Sequence, residues 1–429
     1  MKKIFSYLTF TLIIFFILSD LNTGYAFAQN LNNAFAQNLN NMEITADKAI
    51  TIDIQTNEII YAKNADEKAQ PASTTKLMTA ALLSLNKNSS DMLSITNTAL
   101  NQPSSSIYKD YSLNLSSGDL ISADNVMKGL LLHSGNDMAT IIAEAISGNV
   151  DNFANLMNEK AIELNMHNTH FSTPSGLDTE EALNGKEHYT TAYDLSLLGQ
   201  YAFSNPWVLN AASTTTANLD INDENSITLT NGNKNLNKNG CLAGKTGFTT
   251  KAGRCLVALY ERNGRQILGV ILGSTSDDYF NDMEKIIDYS YEVKPSILYK
   301  NGETVDTEDL EFKLFKFFGP KITYNIPFIL KEDVYQYFND INALESKISL
   351  NADVNLWNLS KDSVIGTLTI QERNATKTFN IYTNITTKDL IKKNIVIYLI
   401  CLSIILFIFL FVIIKIIRKK SIKKHNISV

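Results

Sequence analysis

A run of twenty uncharged, mostly apolar residues near the C-terminus, Ile395 to Ile414, most restricts how this chain can fold. A helix of that length spans the hydrocarbon core of a bilayer, which is about 30 Å thick. Cations flank the run on both sides, at Lys392, Lys393, Lys415, Arg418, Lys419, Lys420, Lys423 and Lys424. Because the more positive flank normally stays in the cytoplasm, we predict a transmembrane helix over 395–414 and a basic cytoplasmic tail over 415–429.

The N-terminus has the pattern of a secretory signal. Lys2 and Lys3 precede the apolar run Ile4 to Leu18, and Ala26-Phe27-Ala28 offers a small-x-small cleavage site. We therefore predict a signal peptide over 1–28, although a second possible cleavage site follows Ala36. The unit AFAQNLNN occurs twice in tandem, and residues 29–41 are predicted to be disordered. Both ends thus indicate a single-pass protein of the cell membrane, with its body on the extracytoplasmic side.

Charge and cysteine content exclude several classes of site. The chain of 429 residues has a net charge of −6 although six cations lie in its tail, so the exported part is acidic. An acidic body is not expected to bind nucleic acid. Cys241 and Cys255 could form a disulfide or remain two buried thiols, and Cys401 lies in the apolar run. His167-x-x-His170 lacks an evident third ligand, so no metal site and no cofactor are predicted.

The residues between the two ends divide into two regions. Short strand-like runs, five helical runs, a strand hairpin and a final helix near Asp282 to Tyr291 predict an α/β domain over 42–294. One of the helices begins with Thr191-x-x-Asp194, which resembles a capping box. After Lys294 the pattern changes to short strands separated by polar turns, among them 311–318 and 354–359. We predict a small all-β domain over 295–391, which acts as a spacer between the membrane and the first domain.

The pattern Ser-x-x-Lys occurs four times, beginning at Ser73, Ser84, Ser106 and Ser421. Ser421 falls in the cytoplasmic tail, Ser106 in a polar segment, and Ser84 near the far end of a predicted helix. Ser73 follows a proline and opens that helix, where free backbone N–H groups and the positive dipole end can stabilise an oxyanion. Lys76 lies one turn later on the same face. Ser73 is therefore the candidate nucleophile.

Two further short patterns carry polar groups at element ends. Ser134-Gly135-Asn136 precedes a predicted helix, so its side chains are free to face a cleft. Its near copy, Ser147-Gly148-Asn149, follows an apolar helical run and is interpreted as a helix C-cap. Lys245-Thr246-Gly247 occurs once, at the end of a predicted strand. A strand edge beside a cleft can align an extended peptide by backbone hydrogen bonds, and Gly247 would permit close approach.

Taken in this order, the three elements resemble the signatures of the penicillin-binding protein and serine β-lactamase superfamily. Longer stretches look like the low-molecular-mass D-alanyl-D-alanine carboxypeptidases, namely PASTTKLMT at 71–79, LHSGND at 132–137, TPSGLD at 173–178 and GKTGFTTKAG at 244–253. The resemblance covers about 44–291 and continues weakly at 361–368. It implies an α/β fold, a transpeptidase-like domain with an antiparallel sheet and a helical subdomain, followed by the all-β domain and the membrane helix.

The resemblance also implies catalytic roles. Ser73 would attack the carbonyl between the two D-alanines of a peptidoglycan stem peptide, and Lys76 would take its proton. Lys76 can act as a base only if burial and a nearby cation, Lys245, lower its pKa. Ser134 would relay a proton to the leaving amine, and Asn136 would position Lys76 and the substrate amide.

The substrate-binding residues follow from the same resemblance. The side chains of Lys245, Thr246 and Thr249 would bind the terminal carboxylate of the peptide. The backbone N–H groups of Ser73 and Phe248 would form the oxyanion hole, in which each donor typically contributes roughly 3 kcal/mol. Gly247 completes the strand edge along which the peptide would lie.

The leading hypothesis is a membrane-anchored D-alanyl-D-alanine carboxypeptidase that β-lactams inhibit covalently. One alternative is a β-lactamase, because Glu180-Glu181-Ala182-Leu183-Asn184 fits the Glu-x-x-Leu-Asn pattern with which class A enzymes activate water. We interpret that match as a chance polar loop, since a carboxypeptidase-like stretch surrounds it. A second alternative is a non-catalytic penicillin-sensing or wall-binding protein. It predicts binding without hydrolysis, and the intact triple motif disfavours it.

Overall fold

The computed structural model describes residues 42–103, 105–222, 225–275, 278–339, 341–342, 345–351 and 354–425. The predicted signal peptide and the duplicated segment lie outside these ranges. The described chain divides into two compact units, and the main boundary falls between Lys294 and Pro295. The first unit also includes Tyr337–Ala343 and Arg373–Ala375, which come from the later part of the sequence.

The first unit is built on a five-stranded antiparallel sheet. Its strands, with those of two small two-stranded sheets, are β1 Lys48–Asp53, β2 Ile59–Lys63, β3 Met92–Ser94, β4 Leu120–Ser122, β5 Thr216–Asn222, β6 Asn225–Thr230, β7 Cys241–Thr249, β8 Gly253–Arg262 and β9 Arg265–Ser274. The five-stranded sheet has the order β2-β1-β9-β8-β7. Along β9, Leu268 and Val270 belong to one core cluster, while Ile267 and Ile271 belong to another on the opposite face. Because both faces are covered, the central strands are apolar at consecutive positions in their middle, over 255–260 of β8 and 267–272 of β9.

Helices cover the sheet and form the rest of the first unit. They are Lys76–Asn86, Asn97–Leu100, Ile107–Asp110, Ala123–Lys128, Asn136–Ser147, Val150–Glu163, Glu180–Leu183, Ala192–Ser204, Pro206–Ser213 and Tyr279–Glu292. One half of the predicted capping box is present, since the Thr191 side chain accepts a hydrogen bond from the Asp194 N–H. The Asp194 carboxylate instead accepts from the Asn168 N–H and the Thr169 hydroxyl. The helix that Thr191 caps packs tightly on the sheet. A Cβ atom at Gly199 would lie 2.9 Å from side-chain atoms of both Leu268 and Val257.

The two cysteines of the sheet remain free, so the thiol alternative is the correct one. Cys241 pairs with Tyr260 near one end of the β7–β8 ladder, and Cys255 lies opposite Gly247 near the other end. Strand register therefore holds the two sulfur atoms apart. Burial raises the pKa of the Cys255 thiol to about 12, which leaves it protonated and unreactive.

The second unit contains the strands β10 Ser296–Tyr299, β11 Thr304–Lys313, β12 Lys321–Ile329, β13 Val334–Gln336, β14 Glu345–Leu350, β15 Gly366–Gln371 and β16 Thr376–Ile381. Its core is separate and includes Phe312, Phe328 and Ile381. Two sequence expectations were wrong in detail. The strand expected over 311–318 ends at Lys313 and continues as a turn, and the one expected over 354–359 contains the 3-10 helix Leu356–Asn358.

Two helices follow these strands, Thr387–Lys393 and Ile395–His425. Thr386 and Asp389 form a reciprocal capping box at the N-terminus of the first helix. Within the described residues, one helical segment, Ile395–Lys419, is long and apolar enough to cross a membrane. Its side chains pack against almost nothing else in the protein, as expected of a segment whose surroundings are lipid.

Candidate active site

Ser73 lies on a single 3-10 turn, Ala72–Thr75, and the α-helix begins three residues later at Lys76. The preceding residue Ala72 has φ +48°, a left-handed conformation that is uncommon for a residue with a Cβ atom. Strained backbone of this kind is typical of functional sites and is stable only when surrounding contacts hold it. The sequence predicted that Ser73 opens the helix, and the structure places it one short turn before the regular helix.

Lys76 is fully buried, and its Nζ atom lies 3.0 Å from the Ser73 Oγ. The same ammonium nitrogen donates to the Asn136 Oδ1 at 2.8 Å and to the Ser175 carbonyl oxygen at 2.8 Å. All three acceptors are uncharged. Burial, and then the charge of Lys245, hold the pKa of Lys76 well below its usual value of 10.5. Lys76 is thus placed to accept a proton from Ser73.

Ser134 occupies the bend between a π-helical turn, Gly129–His133, and the helix that begins at Asn136. Its φ of +71° is again left-handed, and the bend brings the side chains of Ser134 and Asn136, two positions apart, into the site. The Ser134 Oγ accepts a hydrogen bond of 3.0 Å from the Nζ of Lys245. Asn136 and Ser134 therefore contact different lysines, one from each of the other two motifs.

Lys245 is the second buried lysine of the site, with 1% of its surface exposed. Besides Ser134, its Nζ contacts the Thr246 carbonyl oxygen at 2.9 Å. Burial lowers the pKa of Lys245 to about 7. None of the hydrogen-bond partners named for Lys76 and Lys245 is a carboxylate. The site is therefore electropositive when either lysine is protonated, although the net charge of the protein is negative.

Gly247 lies close to the 3-10 turn that carries Ser73. A Cβ atom at Gly247 would be 3.0 Å from the Ser73 backbone nitrogen and 3.1 Å from that of Thr74. Any larger residue would crowd the N–H group of Ser73. Phe248, the next residue, is 55% exposed, and the guanidinium of Arg254 lies 4.3 Å from the centre of its ring.

Thr249 makes a contact that the sequence did not predict. Its hydroxyl donates to the carboxylate of Asp178, which is buried, and accepts from the Ala252 N–H at 3.0 Å. Both hydrogen-bonding roles of this hydroxyl are therefore occupied within the protein. Thr246, the residue after Lys245, remains partly exposed on the same strand.

The loop 173–178 supplies groups that sequence reasoning did not assign to the site. Its Ser175 carbonyl holds Lys76, and the Pro174 carbonyl accepts from the Thr79 hydroxyl at 2.6 Å, one helical turn further on. The TPSGLD stretch indicated that this loop matters. Backbone carbonyl groups carry no sequence signal, however, so their role became visible only in three dimensions.

His188 is a second contributor that the sequence did not indicate. Its Nδ1 accepts from the Ser172 N–H at 3.0 Å, so Nε2 carries the proton and donates to the Thr75 Oγ1 at 3.1 Å. Burial, and to a smaller extent His170, lower the pKa of His188 to about 3. A neutral imidazole thus ties the Ser73 turn to the segment before the loop 173–178.

The near copies of the motifs have ordinary structural roles. The Ser84 hydroxyl donates to the Ala81 carbonyl of its own helix, and Ser106 is buried at the N-cap of the short helix Ile107–Asp110. Gly148 is a left-handed C-cap, as predicted. Glu180 is exposed at the start of a four-residue helix, which does not suit a buried water-activating carboxylate. Among the described residues, no group of three His, Cys, Asp or Glu side chains is placed to hold a metal ion.

Comparison with protein families gives one match to more than half of the chain. Residues 33–276 match the model of the peptidase S11 family, described as D-alanyl-D-alanine carboxypeptidase. The carboxypeptidase DacF of Bacillus subtilis is 28% identical over 337 residues, which cover 76% of this chain and 82% of that protein. The carboxypeptidase DacC of Escherichia coli is 30% identical over 251 residues, or 56% of this chain and 60% of DacC.

Solved structures show the same fold. The D-alanyl-D-alanine carboxypeptidase DacD of Francisella tularensis aligns with a TM-score of 0.57 over 81% of this chain and 94% of its own, at 23% identity. Penicillin-binding protein D2 of Listeria monocytogenes, in its ampicillin-bound form, aligns with a TM-score of 0.52 at 28% identity. That alignment covers 59% of this chain and all of the Listeria chain. The predicted fold class is thereby confirmed.

Proposed function

The chain belongs to the peptidase S11 family of D-alanyl-D-alanine carboxypeptidases, and on this basis we propose that it removes the terminal D-alanine from peptidoglycan stem peptides through an acyl-enzyme on Ser73. The family assignment makes it a serine-type hydrolase, as the motifs predicted. The observation that carries the residue assignment is the 3.0 Å contact between the Lys76 Nζ and the Ser73 Oγ. A serine hydroxyl is a weak nucleophile unless such a base removes its proton.

In the first step, neutral Lys76 takes the proton from Ser73 while Oγ attacks the carbonyl carbon between the two D-alanines. The negative charge moves to the carbonyl oxygen, and the N–H groups of Ser73 and Phe248 stabilise it. The close approach of Gly247 to the Ser73 nitrogen supports this role, because a side chain at position 247 would crowd that N–H group.

In the second step, the tetrahedral intermediate expels D-alanine. The leaving nitrogen needs the proton that Lys76 took from Ser73, and Ser134 would relay it, since its hydroxyl accepts from Lys245 and can donate in turn. This transfer would return Lys76 to its neutral form. The carbonyl carbon of the penultimate D-alanine is now bonded to the Ser73 Oγ. Water then attacks this ester, Lys76 again acts as the base, and the shortened peptide leaves.

The substrate carboxylate would bind at Lys245 and Thr246, with Asn136 holding the peptide amide and Lys76. Thr249 fits this role less directly, because its hydroxyl already donates to Asp178. For Thr249 to bind the carboxylate, the hydroxyl would have to rotate away from Asp178. β-Lactams present the same acyl and carboxylate groups, so they are expected to acylate Ser73 and inhibit the enzyme.

The membrane helix completes the proposal. Ile395–Lys419 would cross the cell membrane once, because it is long and apolar enough to do so. Its C-terminal flank holds more cations than its N-terminal flank, so the catalytic unit would lie on the extracytoplasmic side, where peptidoglycan is found.

An acylation experiment tests the catalytic assignment. The full-length protein in detergent is mixed with benzylpenicillin, its intact mass is followed over time, and the modified peptide is identified. A long-lived adduct on the Ser73 peptide is expected, together with release of D-alanine from a peptide ending in D-Ala-D-Ala. Ser73→Ala should abolish both signals.

Ser84→Ala is the matched control, since it removes the serine of the second Ser-x-x-Lys pattern, whose hydroxyl bonds only within its helix. This variant should behave as the wild type. An adduct that persists in Ser73→Ala would exclude the mechanism. Penicillin that disappears without an accumulating adduct would favour a β-lactamase, and an adduct without D-alanine release would favour a penicillin sensor.

A further inference from the structure

The turn that joins β11 to β12 exposes two neighbouring aromatic side chains. Phe317 is 82% exposed and Phe318 is 69% exposed. Exposed aromatic residues at adjacent positions are uncommon on soluble surfaces and often mark a site of protein or membrane contact. The turn, here called the aromatic turn, comprises residues 313–321 with the sequence KLFKFFGPK.

The aromatic turn has a defined shape. Phe315 and Phe318 exchange backbone hydrogen bonds of 3.3 and 3.2 Å, and their rings stack with centroids 5.1 Å apart. Gly319 has φ +100°, and a Cβ atom there would lie 2.8 Å from the Phe315 ring, so the turn requires glycine. Phe317 lies between Phe315 and Phe318 in the sequence, and its side chain therefore projects from a closed loop.

The aromatic turn contacts the beginning of the apolar helix, and both belong to the second compact unit. The hydroxyl of Tyr398 donates to the Leu314 carbonyl, and the Phe315 ring lies edge-on to the Tyr398 ring with centroids 5.7 Å apart. From the adjoining strand, the Tyr324 hydroxyl accepts from Asn394, the residue just before the helix, at 2.6 Å. These contacts set the depth of the turn along the helix axis.

That depth corresponds to the edge of the bilayer. Tyr398 is the fourth residue of a helix that starts at Ile395, so it lies about 5 Å along the helix axis from its start. Lys392 and Lys393 immediately precede the apolar run. Tyrosine and tryptophan are enriched at this level, where the headgroups meet the hydrocarbon. A group packed on Tyr398 would meet the same environment.

The charge of the aromatic turn also suits a lipid surface. It contains Lys313, Lys316 and Lys321 and no acidic residue, although the exported part as a whole is acidic. Lys321 pairs with Glu311 on the adjoining strand, which leaves Lys313 and Lys316 as the cations of the turn. The Lys316 Nζ lies 5.9 Å from the centre of the Phe317 ring, so the cation and the apolar ring project together. Lysines placed beside aromatic groups can reach headgroup phosphates while the rings enter the apolar layer.

We infer that the aromatic turn inserts Phe317 and Phe318 into the outer leaflet beside the membrane helix, giving this protein a second, peripheral contact with the bilayer. The inference rests on the proposed membrane span and goes beyond it. A single helix would leave the second unit free to tilt about its end, whereas an inserted turn next to the helix would hold that unit at a fixed orientation to the membrane surface.

Site-specific fluorescence tests this in the full-length protein, reconstituted into vesicles of phosphatidylcholine and phosphatidylglycerol. Cys401→Ser removes the one cysteine outside the buried sheet positions, and Phe317→Cys is labelled with an environment-sensitive nitrobenzoxadiazole probe. The matched control is Thr307→Cys, an exposed position towards the other end of β11. We expect lipids with a nitroxide near the headgroup to quench the label at 317 at least several-fold more than the label at 307, and aqueous iodide to show the reverse order.

A third label, at Ile405→Cys in the middle of the apolar run and read with lipids that carry the nitroxide deep in the acyl chain, separates the two proposals. If nitroxide lipids quench the label at 405 but leave the label at 317 accessible to iodide, the inserted turn is excluded and the span remains. If they quench neither, the span itself fails and the inference fails with it. A label at 317 that is shielded from both quenchers would indicate a protein contact instead of lipid, and would also overturn the inference.

Discussion

A Cβ atom on Gly176 would lie 1.8 Å from the carbonyl oxygen of Ala72, the residue before the proposed nucleophile. It would also lie 2.8 Å from the Thr75 Oγ1. Gly176 has φ +81°, so both its conformation and its surroundings require glycine. The loop 173–178 thereby fits against the left-handed Ala72 and keeps the Ser175 carbonyl on Lys76.

Gly176→Ala should damage both stability and acylation. The added methyl group must push the loop away from Ala72, and this is expected to cost about 3 kcal/mol of unfolding free energy. Displacing the Ser175 carbonyl by about 1 Å should slow acylation by penicillin about a hundredfold. Denaturant unfolding in detergent and stopped-flow acylation measure the two effects.

Gly185→Ala is the matched control for that change. Gly185 also has a left-handed φ, +74°, but no atom lies within 4 Å of the site of its Cβ. The Gly185→Ala variant should lose about 1 kcal/mol of unfolding free energy through backbone strain alone, and penicillin should acylate it at the wild-type rate. Equal effects of the two substitutions would contradict the role given to the contact with Ala72.

The rate of acylation should depend on the protonation of Lys76. As pH falls through the lowered pKa of this lysine, the base becomes charged and acylation slows. Lys245 contributes a positive charge that lowers this pKa, so Lys245→Gln should raise it and move the acidic limb of the profile to higher pH. The second-order rate constant for acylation by penicillin, measured between pH 5 and 10, gives the pH at which the limb lies. Weaker binding would lower this constant at every pH without moving the limb. A limb that stays in place or moves to lower pH would exclude Lys76 as the titrating base coupled to Lys245.

His188 should make the stability of the protein depend on acid. Its pKa is about 3 in the folded protein and near 6.5 in the unfolded chain, so between these values the unfolded chain binds the extra proton. His188 therefore makes its full contribution to the free energy of unfolding above about pH 6.5. This contribution falls as pH drops, by up to about 1.4 kcal/mol per pH unit. His188→Gln removes this dependence. Denaturant unfolding at pH 4.5 and 6.5 should show a smaller loss for the variant than for the wild type, and equal losses would show that His188 is not the buried neutral group described.

Glu180→Gln distinguishes the two hydrolytic chemistries. An exposed carboxylate at the start of a short helix is not expected to activate the deacylating water, so the release of penicillin from the acyl-enzyme should remain within about twofold of the wild-type rate. The decay of the adduct by mass spectrometry measures this rate. A strong slowing of deacylation would restore the β-lactamase-type role that the Glu-x-x-Leu-Asn pattern suggested.

Local patterns allowed the choice among repeated motifs. Ser73 stood out from Ser84 because a proline and a helix start precede a lysine on the same face, and the structure places the Ser84 hydroxyl in a bond to its own helix. Strand and helix periodicity located the sheet and its covering helices. The same rules failed at 354–359, where alternating apolar residues form a 3-10 helix, because a short run contains too few periods to distinguish the two.

The sequence by itself determined the membership in the family, the order of the three motifs and the presence of an apolar run long enough for a bilayer. These features are local, and each can be read from residues within about one or two turns of one another. Only the tertiary structure decided what those residues contact. The Ser175 carbonyl reaches Lys76 from 99 positions away, and His188 reaches Thr75 from 113. The lowered pKa of both lysines has the same origin, because a side chain loses its water only when distant segments close around it.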